Sequence, residues 1–162
     1  MNVALRPLEV GDAQTSVKWR NMPEIWVYTE RHPDRIITLE DEQNWIKSVL
    51  ADQASKRFAI VADRTYVGNI YLTNIVDGVG EYHIFIGDKN FLGKGVAKTA
   101  SLELFKYAST KLNLRQIKLK VKEENCNAVA LYRKLGFKEK GMNDGFVLMT
   151  LDLQNHTTKE QL

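Results

Sequence analysis

The sequence is poor in several things that define whole classes of protein. It has one cysteine in 162 residues, Cys126, so no disulfide can form within the chain and a stapled secreted scaffold is excluded. With three scattered histidines and that single cysteine, a Cys/His zinc site has too few ligands, and no metal is expected. No apolar run approaches a membrane-spanning length, and residues 1–9 lack the basic-then-apolar layout of a signal peptide. Neither charge sign dominates: 23 Lys+Arg against 20 Asp+Glu leaves +3, which permits an anionic ligand without demanding nucleic acid. Repeats and linkers are absent. What is present, 44% hydrophobic and 27% charged residues, is the composition of one globular domain. Residues 1–153 read as that domain and 154–162 as a polar tail. A cytoplasmic location, with neither membrane nor nucleic acid as partner, is the expectation.

Along the chain, Val3 to Arg6 reads as a strand ended by Pro7. Asp12 is placed to cap a helix reaching Trp19 and Arg20, and residues 24–38 read as a long loop. Thr38 with Asp41 resembles a capping box that opens a helix to about Ala51. Three strand-like runs follow, Arg57 to Ala62, Tyr66 to Ile75 and Glu81 to Ile86, with turn chemistry at Asp63-Arg64 and Asp77-Gly78. Short turns between them predict an antiparallel meander. A helix from Gly93-Lys94-Gly95 to about Lys111 then leads to the alternating strand around Ile117, Leu119 and Val121, an order that predicts a parallel crossover. A short helix over Asn127 to Leu135, capped by Gly136, precedes a last hairpin around Asn143-Asp144-Gly145.

Two segments carry chemistry. In Asn90-Phe91-Leu92-Gly93-Lys94-Gly95-Val96-Ala97, glycines at a helix start let backbone amides approach an anion. It is no Walker loop, because Gly87 stands one residue too early and Gly95 replaces the hydroxyl residue. Nor is it a dinucleotide fingerprint, whose third glycine would fall on Lys98. A plain glycine-rich helix start is the competing reading. The second segment is Asn125 followed by Leu131-Tyr132-Arg133-Lys134-Leu135-Gly136-Phe137.

Taken together, the two segments resemble the motifs of the GNAT superfamily of acetyl-CoA-dependent N-acetyltransferases, with Asn90 in a slot that is Gln or Arg there. The resemblance implies an α/β (α+β) fold: a single GNAT-like domain with a mixed, mostly antiparallel twisted sheet of about seven strands. About four helices would flank it, with a splayed strand pair at the acetyl-CoA site. It implies that Phe85, Ile86 and Gly87 pair with the pantetheine arm of acetyl-CoA. Leu92, Gly93, Lys94, Gly95, Val96, Ala97 and Lys98 would wrap the pyrophosphate, Asn125 would touch the arm near the thiol, and Tyr132 would be the general acid. A homodimer is compatible with the resemblance, though no stretch marks an interface.

Direct acetyl transfer to a primary amine needs a way to remove the ammonium proton. Glu81 and His83 share one face of their strand, and Glu81 is the expected base, against the alternative of an exposed strand-end carboxylate. A backbone N–H near Ile86 is the candidate oxyanion donor. For Tyr132 the bland alternative is a packing aromatic, and for Cys126 it is an inert thiol. Lys118, Lys120 and Lys122 read as a solvated strand face. The phrase Lys18-Trp19-Arg20-Asn21-Met22-Pro23-Glu24 resembles members that acetylate nucleotide-linked amino sugars. Arginines suit a phosphate-bearing acceptor, so Arg20, Asn21, Tyr28, Arg31 and His83 are the expected substrate contacts. A polyamine, a protein N-terminus of the ribosomal-protein alanine type, and a non-catalytic acetyl-CoA sensor are the alternatives.

Overall fold

A computed structural model describes residues 1–26 and 35–153; the predicted tail lies outside them. Seven strands form one sheet: β1 (Val3–Pro7), β2 (Lys56–Ala62), β3 (Thr65–Val76), β4 (Val79–Ile86), β5 (Gln116–Lys122), β6 (Lys138–Asn143) and β7 (Phe146–Asp152), in the spatial order β1-β2-β3-β4-β5-β7-β6. Four α-helices accompany it among the described residues: α1 (Ala13–Arg20), α2 (Leu39–Ala51), α3 (Val96–Thr110) and α4 (Cys126–Lys134). This is the single GNAT-like domain expected, with the predicted meander in β2–β3–β4. The β4–β5 pair is parallel, joined through α3. No described helix is long and apolar enough to cross a membrane.

Local chemistry sets the boundaries. Asp63 and Arg64, Asp77 and Gly78, and Asp144 and Gly145 have positive φ, the conformation that lets a two-residue turn follow strand twist. Thr38 Oγ1 accepts from the Asp41 amide at 3.1 Å while Asp41 accepts from the Thr38 amide at 2.9 Å, so α2 starts with a reciprocal cap. Asp12 corrects its expectation. It precedes α1 in helical conformation but makes no side-chain cap bond to that helix; its carboxylate accepts from Arg6 at 2.8 and 2.9 Å and from the Glu9 amide at 2.9 Å, closing the capping box of the preceding turn. The chain enters α1 through a short 3-10 turn, Val10–Asp12, instead.

Helices cover both sheet faces. The larger core gathers Ile70, Leu72, Tyr82, Ile117 and Met149 from the sheet with Leu104 and Phe105 of α3 and Val129 of α4. Each large aliphatic side chain so buried stabilises the fold by about 1.5–3 kcal/mol. A smaller core under α1 and α2 holds Leu8, Ala13, Ile46 and Ala59. At one end of the sheet β6 is exposed along its whole length and shifts register between Glu139 and Gly141.

One interruption positions everything that follows. β4 pairs with β5 only over Val79–Glu81, against Gln116–Lys118. Beyond Glu81 it stays paired with β3 through Ile86 but has no strand neighbour on its other edge among the described residues. A cleft opens there, inside an otherwise continuous sheet.

Candidate active site

The cleft encloses about 350 Å³ between the diverging strands, walled by Tyr82 to Phe85 of β4, Lys120 to Lys122 of β5, and Asn125 and Tyr132. Trp19, Arg20, Tyr71 and Phe146 close it on other sides. Its edge on β4 is backbone. Gly78 accepts from the Gln116 amide on the β5 side, whereas the Gly87 amide donates to Val67 of β3 at 2.8 Å. In a regular strand the direction alternates, so even-numbered residues aim N–H and C=O at the cleft and odd-numbered ones at β3. Ile86 therefore fits the expected pairing with an extended ligand. The Gly87 amide and, by the same alternation, the Phe85 backbone face β3, while Phe85 still lines the cleft. Ile84, not singled out in the sequence, shares the direction of Ile86, and counting back two residues from Ile86 is the signal that identifies it.

Gly87 has a different necessity. A Cβ there would lie 2.0 Å from the indole of Trp19, so only glycine lets α1 lie on the end of β4. Phe85 meets the same indole edge-on at 5.9 Å.

Past β4 the chain turns through Lys89–Phe91 into the glycine loop. Gly93 and Gly95 have φ of +71° and +80°, and a Cβ at either would meet nothing within 4 Å. Glycine is thus required by dihedral angle and not by space. α3 begins at Val96 with no side chain capping it. The first backbone bond across its start is from Thr99 to Gly95, which leaves the amides of Val96, Ala97 and Lys98 unpaired among the described residues. Unpaired amides at the positive end of a fifteen-residue helix, beside two open glycines, fit a pyrophosphate. Lys94 and Lys98 are exposed at the same turn. Two details differ from expectation. The Leu92 amide is committed to the Lys89 carbonyl at 3.3 Å, and the Val96 side chain is core, so only its amide is available.

Tyr132 projects from α4 into the cleft, its ring edge-on to Tyr82 at 5.7 Å and near Phe137 at 5.9 Å. Burial pushes its hydroxyl up to about 12, so the group stays protonated through the neutral range. The hydroxyl has no hydrogen-bond partner among the described residues. Asn125 lines the same wall, and its Oδ1 caps α4 by accepting from the Ala128 amide at 3.4 Å. Tyr132 and Asn125 are therefore brought together as predicted.

The expected acceptor residues are more dispersed. Arg20 reaches the cleft wall, but its Nε donates to both oxygens of Glu42, at 3.1 and 3.2 Å, and its guanidinium lies 3.9 Å from the Trp45 ring centroid. Glu42 is only 1% exposed, so the pair anchors α1 to α2. Asn21 does not line the cleft. Its amide donates to Val17 and Ile37 and accepts from the Ile37 amide, tying the end of α1 to the entry of α2. Tyr28 and Arg31 lie outside the described residues. His83 lines the cleft, stacked on Tyr71 at 4.8 Å and 12°, with Nε2 at 2.9 Å from Thr73 Oγ1. Glu81, the expected base, does not line the cleft. Tyr82 turns toward Tyr132, so Glu81 and His83 share the opposite face of β4, and of the two only His83 reaches the cleft wall. Glu81 enters an adjoining hollow of about 330 Å³, held by Asn74 at 2.6 Å and lying 4.0 Å from Lys118. His83 and Lys120 are shared by both spaces. Trp19, Tyr71 and Phe146 complete the cleft without having been named as contacts, and Lys120 and Lys122, expected as a solvated strand face, line it as well. Lys120 and Lys122 both lie over the Phe146 ring, at 5.0 and 5.3 Å. No group of three or more His, Cys, Asp or Glu gathers as a metal site among the described residues.

Comparison with known proteins gives concordant results. A family profile described as acetyltransferase (GNAT) domain matches residues 2–138. Spermidine N(1)-acetyltransferase of Escherichia coli (strain K12) is 32% identical over 151 residues, spanning 90% of this chain and 79% of that protein. Acetyltransferase PseH of Campylobacter jejuni subsp. jejuni is 28% identical over 120 residues, 74% of this chain and 73% of that protein. The crystal structure of spermidine N-acetyltransferase from Vibrio cholerae in complex with CoA and spermine superposes with a TM-score of 0.84 at 27% identity, covering 96% of this chain and 98% of that one. A splayed strand pair, an uncapped glycine-led helix and this depth of similarity converge on one conclusion: the chain belongs to the GNAT acetyltransferase family and is an N-acetyltransferase that draws on acetyl-CoA.

Proposed function

We propose that this enzyme acetylates a primary amine of a polyamine of the spermidine type. The observation that carries the acceptor is the 32% identity to the Escherichia coli spermidine enzyme across 90% of this chain. This reverses the order reached from sequence, where the amino sugar came first. The phosphate-bearing acceptor was expected on Arg20 and Arg31; Arg20 is paired with the buried Glu42, and Arg31 lies outside the described residues.

Acetyl-CoA supplies the activated acetyl group and a thiol leaving group. The unpaired amides of Val96, Ala97 and Lys98 hold its pyrophosphate, and the free backbone of Ile84 and Ile86 orients the arm along β4. A backbone N–H from that edge also faces the acetyl oxygen as charge develops there. Tyr132 donates its hydroxyl proton to the departing sulfur. Its raised pKa keeps that proton in place until the sulfur, gaining negative charge, competes for it.

A specific observation favours the amino sugar as second reading. Lys120 and Lys122 line the cleft while no described carboxylate does, and such a wall repels a polycation and attracts a diphosphate. The test is acetyl-CoA-dependent thiol release with spermidine, a UDP-linked 4-amino sugar and an Ala-starting peptide in parallel. Saturable release with spermidine alone is expected. Release with the sugar alone overturns the polyamine reading and makes the lysines its binding groups.

A further inference from the structure

We propose that His83, oriented by Thr73 and Glu81, is the group that accepts the proton of the acceptor amine. The inference rests on the acetyl-transfer reading above but not on which amine is used.

A proton acceptor must reach the space where amine and acetyl group meet. Glu81 does not line the cleft that contains Tyr132, whereas His83 does. Because His83 borders both the cleft and the adjoining hollow, it stands at the junction between reaction space and an outlet toward solvent.

The hydrogen bonds then fix the ring. Thr73 Oγ1 lies 2.9 Å from His83 Nε2 and 3.4 Å from Glu81 Oε2. An ionised carboxylate can only accept, so Thr73 satisfies both neighbours by donating to Glu81 and accepting from Nε2–H. This arrangement places the imidazole proton on Nε2 and leaves the Nδ1 lone pair bare. Nδ1 has no partner among the described residues. Asn74 donates to the same Glu81 oxygen at 2.6 Å, which holds the carboxylate in place. Glu81 thus acts through Thr73 as a positioning residue.

The surroundings keep the ring neutral and therefore able to accept. Tyr71 covers one of its faces, and the Arg57 guanidinium lies 4.2 Å from the Tyr71 ring centroid, itself near Trp45 at 5.4 Å. Burial lowers the His83 pKa; Arg57 and Lys120 add to the effect and Glu81 opposes it. Arg20, already paired with Glu42, and Lys122 line the same cleft, and Lys118 lies beside Glu81. The same cations disfavour an incoming ammonium and ease its deprotonation.

The protons balance. The ammonium gives one proton to Nδ1, and the freed nitrogen pair forms the C–N bond to the acetyl carbon. The C–S bond breaks with its electron pair on sulfur, which takes the Tyr132 proton. The second nitrogen proton leaves to restore Tyr132, and the His83 proton passes to solvent, a net release of one proton per turnover.

The test pairs His83→Gln with Glu81→Gln. Turnover is followed against pH with whichever amine of the panel is active, so a wrong acceptor changes the amine and a wrong base changes the profile. For wild type, kcat rises along an acid limb centred below the ordinary imidazole value of about 6.5. His83→Gln is expected to lose that limb and about 100-fold in kcat, with acetyl-CoA affinity and melting temperature preserved. Glu81→Gln is expected to keep the limb, moved to lower pH. Loss of the limb in Glu81→Gln with retention in His83→Gln overturns the proposal. A second readout needs no acceptor: the ¹⁵N spectrum of histidine-labelled protein near neutral pH. A neutral His83 protonated on Nε2 is expected, and a proton on Nδ1 overturns the assignment.

Discussion

The two sides of the cleft are built from different materials. On the side of β4 and α3 the surface is backbone: the exposed edge at Ile84 and Ile86, two glycines with left-handed φ, and amides that no side chain caps. On the side of α1 and α2 it consists of side chains locked onto one another, with Arg20 between Glu42 and Trp45, and Tyr71 between Arg57 and His83. A backbone site tolerates almost any sequence that adopts the right dihedral angles, and it marks itself with glycine. A side-chain site depends on which distant residues happen to meet. The first kind suits a donor shared across a family, the second an acceptor that differs among members.

The largest effect should come where the two sides converge. Tyr132→Phe removes the proton for the sulfur and leaves the ring packing; kcat is expected to fall about 100- to 1,000-fold with acetyl-CoA affinity unchanged. The raised hydroxyl pKa makes this loss constant from about pH 7 to 10, because wild type does not ionise there. A loss that fades toward pH 10 would mean the phenol titrates near its ordinary value.

The next effect separates the two sides. Glu42→Leu removes the buried carboxylate that accepts from Arg20, and breaking a buried pair of this kind costs about 3 kcal/mol. Urea unfolding should register that loss, while the Michaelis constant rises for the amine and stays near wild type for acetyl-CoA. Equal changes in both constants would erase the distinction between the walls. Gly87→Ala forces a methyl into the Trp19 indole and is expected to destabilise by about 2 kcal/mol, the usual range for overpacking. Smallest is Gly95→Ala. The added methyl meets nothing, so only the dihedral penalty of about 1 kcal/mol acts, seen as a several-fold weaker affinity for acetyl-CoA in calorimetry.

The same division explains what the sequence revealed. The glycine loop, Asn125 and Tyr132 could be located because local spacing carries their roles, and the Thr38–Asp41 cap and the hairpin turns for the same reason. Glu81 and His83 were correctly placed on one strand face, but periodicity does not say which face meets α4; that depends on Tyr82 contacting Tyr132, fifty residues away. Arg20 looked available because its partner Glu42 lies 22 residues further on, within a helix whose own pattern says nothing about α1. Asn21 read as a ligand group when its amide is spent on the backbone of Ile37. Gly87 belonged to the motif neighbourhood, yet its reason is Trp19.

The far strand of the sheet has a consequence of its own. β6 ends the strand order, is exposed throughout, carries Lys138, Glu139 and Lys140, and breaks register before Gly141. A border that is charged, short and kinked is a poor template for another chain's strand. The sheet therefore stops where it should, and crowded or partly unfolded molecules gain little by stacking edge to edge there, which favours long-lived solubility over fibril growth.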